Sequence, residues 1–162
     1  MKYAAYGSNL HPKRLEQRTG PVEFLGTGRL DGLALRFHKR GNLDGSGKCN
    51  VIEQANSYIY MAVFKLPDKS IDKLDEAEGL GCGYERGRIH VPEHGVCMTY
   101  YAQPSHIDDS LVPFSWYKEL VLAGCRYHDF PAEYLEQIQA VAEVMDPDLK
   151  RHAINSKLLA SG

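Results

Sequence analysis

The sequence predicts an α+β fold built on a largely antiparallel or mixed sheet or barrel. Three observations carry this. Apolar, β-branched and aromatic runs punctuated by turn residues fill roughly the first two-thirds of the chain. Helical spacing then takes over: Trp116, Leu120 and Ala123 recur on one stripe, and Leu135, Ile138, Val141 and Met145 on another. Strands and helices do not alternate regularly, which argues against a doubly wound parallel sheet.

In chain order, residues 2–6 form a short apolar run that reads as a buried strand. It breaks at Gly7-Ser8-Asn9, and Pro12 then opens a helix over residues 13–18. Residues 22–30 and 32–38 read as strands, with a hairpin-like reversal at Asp31-Gly32. Residues 41–47 are a loop by composition, and residues 50–54 and 58–66 are further strands. Pro67 stops the last of these. Ser70 is placed to cap a short helix carrying Ile71 and Leu74 on one face, and Gly79 to end it. Residues 85–91 and 96–102 are strands joined through His94-Gly95. Two helices follow, separated by residues 124–131.

Composition narrows the classes of function. The chain has 162 residues, enough for one domain with its own core. Nineteen Lys and Arg against 21 Asp and Glu give a net charge of −2 and disfavour a nucleic-acid binder. No apolar run is long enough for a transmembrane helix, and the opening residues do not read as a signal peptide, so the expectation is a cytoplasmic protein with no membrane partner. Cys49, Cys82, Cys97 and Cys125 form no Cys-x-x-Cys pair and read as buried or half-buried free thiols. His90 and His94 are separated by Pro92 in a strand-and-turn stretch, so no metal site is expected there. Gly45-Ser46-Gly47-Lys48 lacks the first glycine and the final Ser or Thr of a phosphate-binding loop.

Two segments hold the chemistry. Tyr6-Gly7-Ser8-Asn9-Leu10 ends the first strand. Glycine lets backbone or ligand approach closely, and successive N–H groups in such a turn can cradle a carboxylate, aided by the following helix N-terminus. The second segment is Leu74-Asp75-Glu76-Ala77-Glu78-Gly79. Ile71, Leu74 and Glu78 share one helical face, while Asp75 and Glu76 point elsewhere. Glu78 therefore faces inward at a helix C-terminus, where the macrodipole and partial burial both make a carboxylate more basic and suit it to proton transfer. On these residues alone, a strand-to-helix turn capped by Asn9 and a solvated acidic helix end would account for the same letters.

Taken together the segments resemble the γ-glutamylcyclotransferase-like family, which includes the AIG2-like proteins. The resemblance runs from Tyr6-Gly7-Ser8-Asn9-Leu10 through Gly28-Arg29-Leu30, Leu35-x-Phe37 and Leu74-Asp75-x-x-Glu78-Gly79 with Tyr84. It ends with Tyr117, Gly124 and Pro131-x-x-Tyr134. It implies a small mixed β-barrel flanked by helices over residues 1–146, with residues 147–162 as a C-terminal tail or short helix. It implies that the loop Tyr6, Gly7, Ser8, Asn9 and Leu10 holds a γ-glutamyl moiety, with Tyr84 and Tyr100 near the pocket and Glu78 as acid/base. Departures from the family pattern are Met61, where many relatives carry glycine, and Cys125, His128 and Asp129. Met61 and residues 41–56 are where substrate preference is expected to be set.

The implied reaction is intramolecular acyl transfer: a γ-glutamyl amide cyclises to 5-oxoproline and releases an amine or amino acid. Nucleophile and electrophile lie on one molecule, so no cofactor or metal is called for. The expected partner is a small γ-glutamyl peptide or amine, handled by a monomer or homodimer. Two alternatives stay open: a cyclotransferase for a larger γ-glutamylamine, and a non-catalytic small-molecule binding module of the same fold.

Overall fold

The computed structural model describes residues 1–160. Its centre is a five-stranded mixed sheet in the order β2-β3-β1-β5-β4. The strands are β1 (Lys2–Ala5), β2 (Glu23–Arg40), β3 (Gly47–Lys65), β4 (Tyr84–Val91) and β5 (Gly95–Ala102). β1 runs antiparallel to β3 and parallel to β5, and the other neighbours are antiparallel. No ladder joins β2 to β4, so the sheet is open where a barrel was expected. It curls far enough that a Cβ on Gly28 of β2 would lie 2.5 Å from Val91 Cγ1 of β4.

The helices are α1 (Pro12–Thr19), α2 (Asp68–Glu78), α3 (Ser115–Tyr127), α4 (Ala132–Gln139) and α5 (Leu149–Ser156). α1 packs against α2, and α3 against α4 and α5. Among the described residues, no helix is long and apolar enough to cross a membrane.

Several local expectations are corrected. Residues 22–38 do not reverse at Asp31-Gly32. β2 is continuous, and Gly32 at φ 80° forms a bulge opposite residues 54–57 of β3, where Asn56 is also left-handed. The two breaker signals face each other across one ladder, so they share a bend instead of starting two hairpins. The reversal comes at residues 41–46. Ser70 does not cap α2. Pro67 holds that position without a side-chain bond, and Ser70 is buried inside the helix. Gly124 lies within α3, so the break between the helices is only residues 128–131, and Met145 lies beyond α4, half exposed. Cys49, Cys97 and Cys125 are buried, but Cys82 is exposed in the turn after α2.

The core is continuous from β1 and β3 into α3 and α4. Ala4, Ala5, Leu10, Leu15, Ile59, Met61 and Val63 are wholly buried. An aromatic group on α4 and its approach, Phe130 and Tyr134, packs on Tyr60 with ring centroids 5.1 and 5.2 Å away. α3 meets the loop after β1 so closely that a Cβ on Gly124 would lie 2.4 Å from Leu10 Cβ. Gly124→Ala is therefore expected to lower stability by about 1–3 kcal/mol, against the usual gain for alanine in a helix. Thermal unfolding of the variant checks this.

Asp146 anchors the segment that leads into α5. Its buried carboxylate accepts from Trp116 Nε1 at 2.9 Å and from Arg151 Nε and Nη2 at 2.6 and 2.7 Å. The Arg151 hydrogen bonds, outweighing burial and helped by Trp116, hold the carboxyl well below its ordinary 3.8. A carboxyl depressed on folding contributes stability above its unfolded value and loses it as pH falls toward the folded one. Wild-type stability should therefore decline below about pH 4 more steeply than that of Asp146→Asn, as measured by denaturant titration across pH 2–6.

Candidate active site

β1 is only four residues long, while its neighbours β3 and β5 run on past its C-terminal end. There the chain leaves the sheet as residues 6–10, and a recess forms between the diverging strands. Backbone groups of β3 and β5 that a longer β1 could have paired find side chains instead. Tyr6 Oη donates to the Tyr100 carbonyl at 2.6 Å, and Tyr84 Oη to the Cys49 carbonyl at 2.5 Å. Cys49 N–H donates to Tyr117 Oη at 2.9 Å, and Ala102 N–H to Asn50 Oδ1 at 2.9 Å. This satisfies buried polar groups that would otherwise be costly.

The recess, about 30 Å³, is lined by Tyr3, Tyr6, Gly7, Ser8, Asn9, Cys49, Glu78, Tyr84, Tyr100 and Tyr117. It opens into an outer cleft of about 380 Å³, with Ser8, Glu78, Tyr84 and Tyr117 shared by both. All but one of the residues expected to hold or act on the γ-glutamyl group meet here. The exception is Leu10, whose side chain is fully buried against α3 and faces the core. Met61 is also wholly buried and lines neither space. From residues 41–56, Gly41, Asn42, Leu43, Asp44 and Lys48 line the outer cleft, and Cys49 the recess.

Gly7 is not needed for a left-handed turn, since its φ is not positive. It is needed for space: a Cβ there would lie 2.9 Å from Cys49 Cβ. The turn closes with Leu10 N–H on the Gly7 carbonyl at 3.1 Å. His128 pins its far side by donating Nε2–H to the Leu10 carbonyl at 2.7 Å. α1 starts at His11, whose Nδ1 accepts from Lys13 N–H, so Asn9 is not a cap and its side chain is free for the recess.

α2 delivers Glu78 in its last turn and ends at Gly79 in the left-handed region, φ 70°. Glu78 Oε1 accepts from Asn9 Nδ2 at 2.7 Å and pairs with Arg18 Nη1 at 3.0 Å. Asn9 Nδ2 also donates to Tyr3 Oη at 3.1 Å. Asn9 and Arg18 are thus partners of Glu78 beyond the helix terminus and burial that the sequence reading considered alone. Asp75, one turn back, leaves this face and accepts from Tyr100 Oη at 2.7 Å and from Arg86. Burial alone would raise the Asp75 carboxyl, but those hydrogen bonds outweigh it and hold it below the usual range.

Burial pushes the phenols of Tyr3, Tyr6, Tyr84, Tyr100 and Tyr117 up, and the Cys49 thiol up to about 12. Near neutral pH these phenols and the thiol are neutral, and Glu78 is the one carboxyl group among the residues lining the recess. The sequence reading missed Tyr3, Cys49 and Arg18. Arg18 was detectable in principle: from Leu15, buried on α1, a spacing of three places it on the neighbouring face.

Comparison with known proteins first places the fold. A solved γ-glutamyl cyclotransferase superposes with a TM-score of 0.77 at 22% identity, over 97% of this chain and 98% of that one. An uncharacterised human protein gives 0.75 at 21%, covering 93% and 95%. By sequence the chain is similar to the γ-glutamylcyclotransferases of Homo sapiens and Mus musculus, at 27% and 28% identity over 148 residues, covering 86% of this chain and 77% of each relative. No protein-family model matches. The chain is thus similar in sequence to γ-glutamylcyclotransferases and shares its fold with a solved γ-glutamyl cyclotransferase.

The Arg18–Glu78 pair is testable without any substrate. In a double-mutant cycle of Arg18→Met and Glu78→Gln, the coupling energy from denaturant unfolding should be favourable by about 0.5–3 kcal/mol. Arg18→Met alone should be the more destabilising single change, because it leaves a half-buried carboxylate at a helix C-terminus.

Proposed function

We infer that this chain is a γ-glutamylcyclotransferase, converting a γ-glutamyl amide to 5-oxoproline and a free amine or amino acid. The observation that carries this reading is the single carboxylate, Glu78, set in an otherwise neutral aromatic recess beside the turn of residues 7–9. The N–H groups of Gly7, Ser8 and Asn9 donate to no protein acceptor among the described residues. They are available to the α-carboxylate of the glutamyl group. The recess and cleft together give space for a dipeptide-sized ligand, with the glutamyl head innermost.

In this reading Glu78 takes a proton from the substrate α-ammonium. The freed amine nitrogen attacks the side-chain carbonyl carbon and closes a five-membered ring. The tetrahedral centre collapses as the carbon–nitrogen bond to the leaving group breaks, and Glu78 returns its proton to that nitrogen. The ring nitrogen sheds a second proton in becoming the lactam N–H, and the departing amine takes it up and leaves as an ammonium, so four nitrogen-bound protons enter and four leave. Asn9 and Arg18 hold the Glu78 carboxyl group in place. Tyr6, Tyr84, Tyr100 and Tyr117 act through shape, since their hydroxyls serve backbone groups or Asp75. Orientation within one molecule supplies the larger share of the acceleration, and the general acid/base about 10²–10⁴-fold.

Glu78→Gln keeps the side-chain volume and the Asn9 contact while removing the base. Its 5-oxoproline release from γ-glutamyl dipeptides should fall by at least about 100-fold in kcat, with KM changed far less. Turnover within a few-fold of wild type would overturn the role of Glu78. Absence of product from wild type across γ-glutamyl peptides and amines would favour a binding module.

A further inference from the structure

The outer cleft holds five cationic side chains: Arg14, Arg18, Lys39, Lys48 and Arg151. Three have carboxylate partners, in the pairs Arg18–Glu78, Lys48–Asp44 and Arg151–Asp146. Arg14 and Lys39 have none among the described residues. Lys39 is only 3% exposed, yet its ammonium meets no hydrogen-bond acceptor there and lies 4.4 Å from the centre of the Tyr84 ring. The contrast with Lys118 is sharp. That other buried lysine donates to the carbonyls of Gln139 and Val141 and pairs with Glu143.

The Lys39 ammonium faces the cleft with no acceptor of its own, and it is set directly across the ladder from Lys48. Burial, and then Lys48, press the Lys39 amine below its ordinary value, with Glu78 and Asp44 opposing. Burial does the same to Arg14, whose Nε has no partner. The fold makes room for this arrangement. Gly83, at φ 127°, stands where a Cβ would lie 2.7 Å from Lys39 Cε and 2.8 Å from Nζ. Tyr84, whose ring carries the ammonium, is a wall of both recess and cleft. Whatever leaves the recess past Tyr84 meets Lys39.

We propose that Lys39, with Arg14 in the same cleft, receives a carboxylate on the leaving half of the substrate and so sets a preference for γ-glutamyl amino acids and peptides over γ-glutamyl amines without an acidic group. This rests on the γ-glutamyl reading of the recess. The carboxylate would supply the acceptor that both cations lack, and the low-exposure setting would strengthen each bond.

The test uses γ-glutamyl-alanine and γ-glutamyl-ethylamine, which differ by that one carboxylate. Two readouts are taken: 5-oxoproline release by the wild type, and calorimetric binding to the Glu78→Gln variant, where turnover is suppressed. The wild type should favour γ-glutamyl-alanine in kcat/KM by about 10- to 100-fold, chiefly through KM, and binding should show the same order. Lys39→Met, which keeps the aliphatic stem, should cut that ratio at least about tenfold. Equal use and equal binding of the two ligands by protein carrying Lys39 overturns the proposal, as does a ratio unmoved in a folded Lys39→Met. A binding preference for γ-glutamyl-alanine with no 5-oxoproline from the wild type sustains the role of Lys39 while overturning the cyclotransferase reading.

Discussion

The architecture turns on the shortness of the central strand. β1 pairs through Ala5 with Ala62 and then ends, although β3 and β5 continue beyond it. Two strands separated by a missing third cannot close on each other without shifting register, and their inward N–H and C=O groups must still be satisfied. Tyrosine hydroxyls meet that demand. They reach across the gap, bond to backbone, and leave their rings as its walls. A recess lined by aromatics is thus what the sheet leaves when its middle strand stops early. The loop that replaces the strand, residues 6–10, becomes the floor.

Into this recess comes one charge, in a place its own helix disfavours. Glu78 stands at the carbonyl end of α2, partly buried. A carboxylate there needs compensation. Arg18 from α1 and Asn9 from the loop just before it provide it, so the start of the chain and the end of α2, 60 to 69 residues on, are tied at one oxygen. The arrangement leaves the group held but reachable, since Glu78 also faces the outer cleft. Two partners and one open side are what a group must have if it is to give and take a proton in place.

Much of this was legible in the chain because it is local. Gly79 marks the end of α2, and a spacing of four carries Glu78 onto the face of Leu74. The polar turn after the first strand was visible from Gly7-Ser8-Asn9. What escaped was set by tertiary pairing. Asp31-Gly32 resembles a hairpin turn in isolation, and only the facing irregularity at residues 54–57 turns it into a bend. Gly7 looks like a turn glycine, and only the approach of Cys49 reveals it as a space-maker. Ser70 has the chemistry of a cap, yet the proline–aspartate start places the helix three residues earlier. The sheet opens where a barrel was expected because closure depends on whether β2 and β4 exchange hydrogen bonds, which no local pattern encodes.

The division between recess and cleft has a consequence for how such a site discriminates. The recess is neutral apart from Glu78, so its contacts serve the group common to all substrates, and they act at the reacting atoms. The cleft is where charge varies, and it draws on the β2–β3 turn and on helices α1, α2, α3 and α5 as well as on Lys39, Lys48 and Tyr84 of the sheet. Change in the turn and in α1 or α5 alters which leaving group is accepted without disturbing the strands that satisfy each other across the gap. Lys39 belongs to the cleft yet rests on Tyr84, which belongs to both. Its ammonium is thereby fixed relative to Glu78 by one rigid ring. A flexible surface lysine would lose several rotors on meeting a carboxylate, whereas Lys39 has already surrendered them in folding. That ordering is borne by the protein beforehand, which is how preorganisation turns a weak exposed ion pair into a selective one.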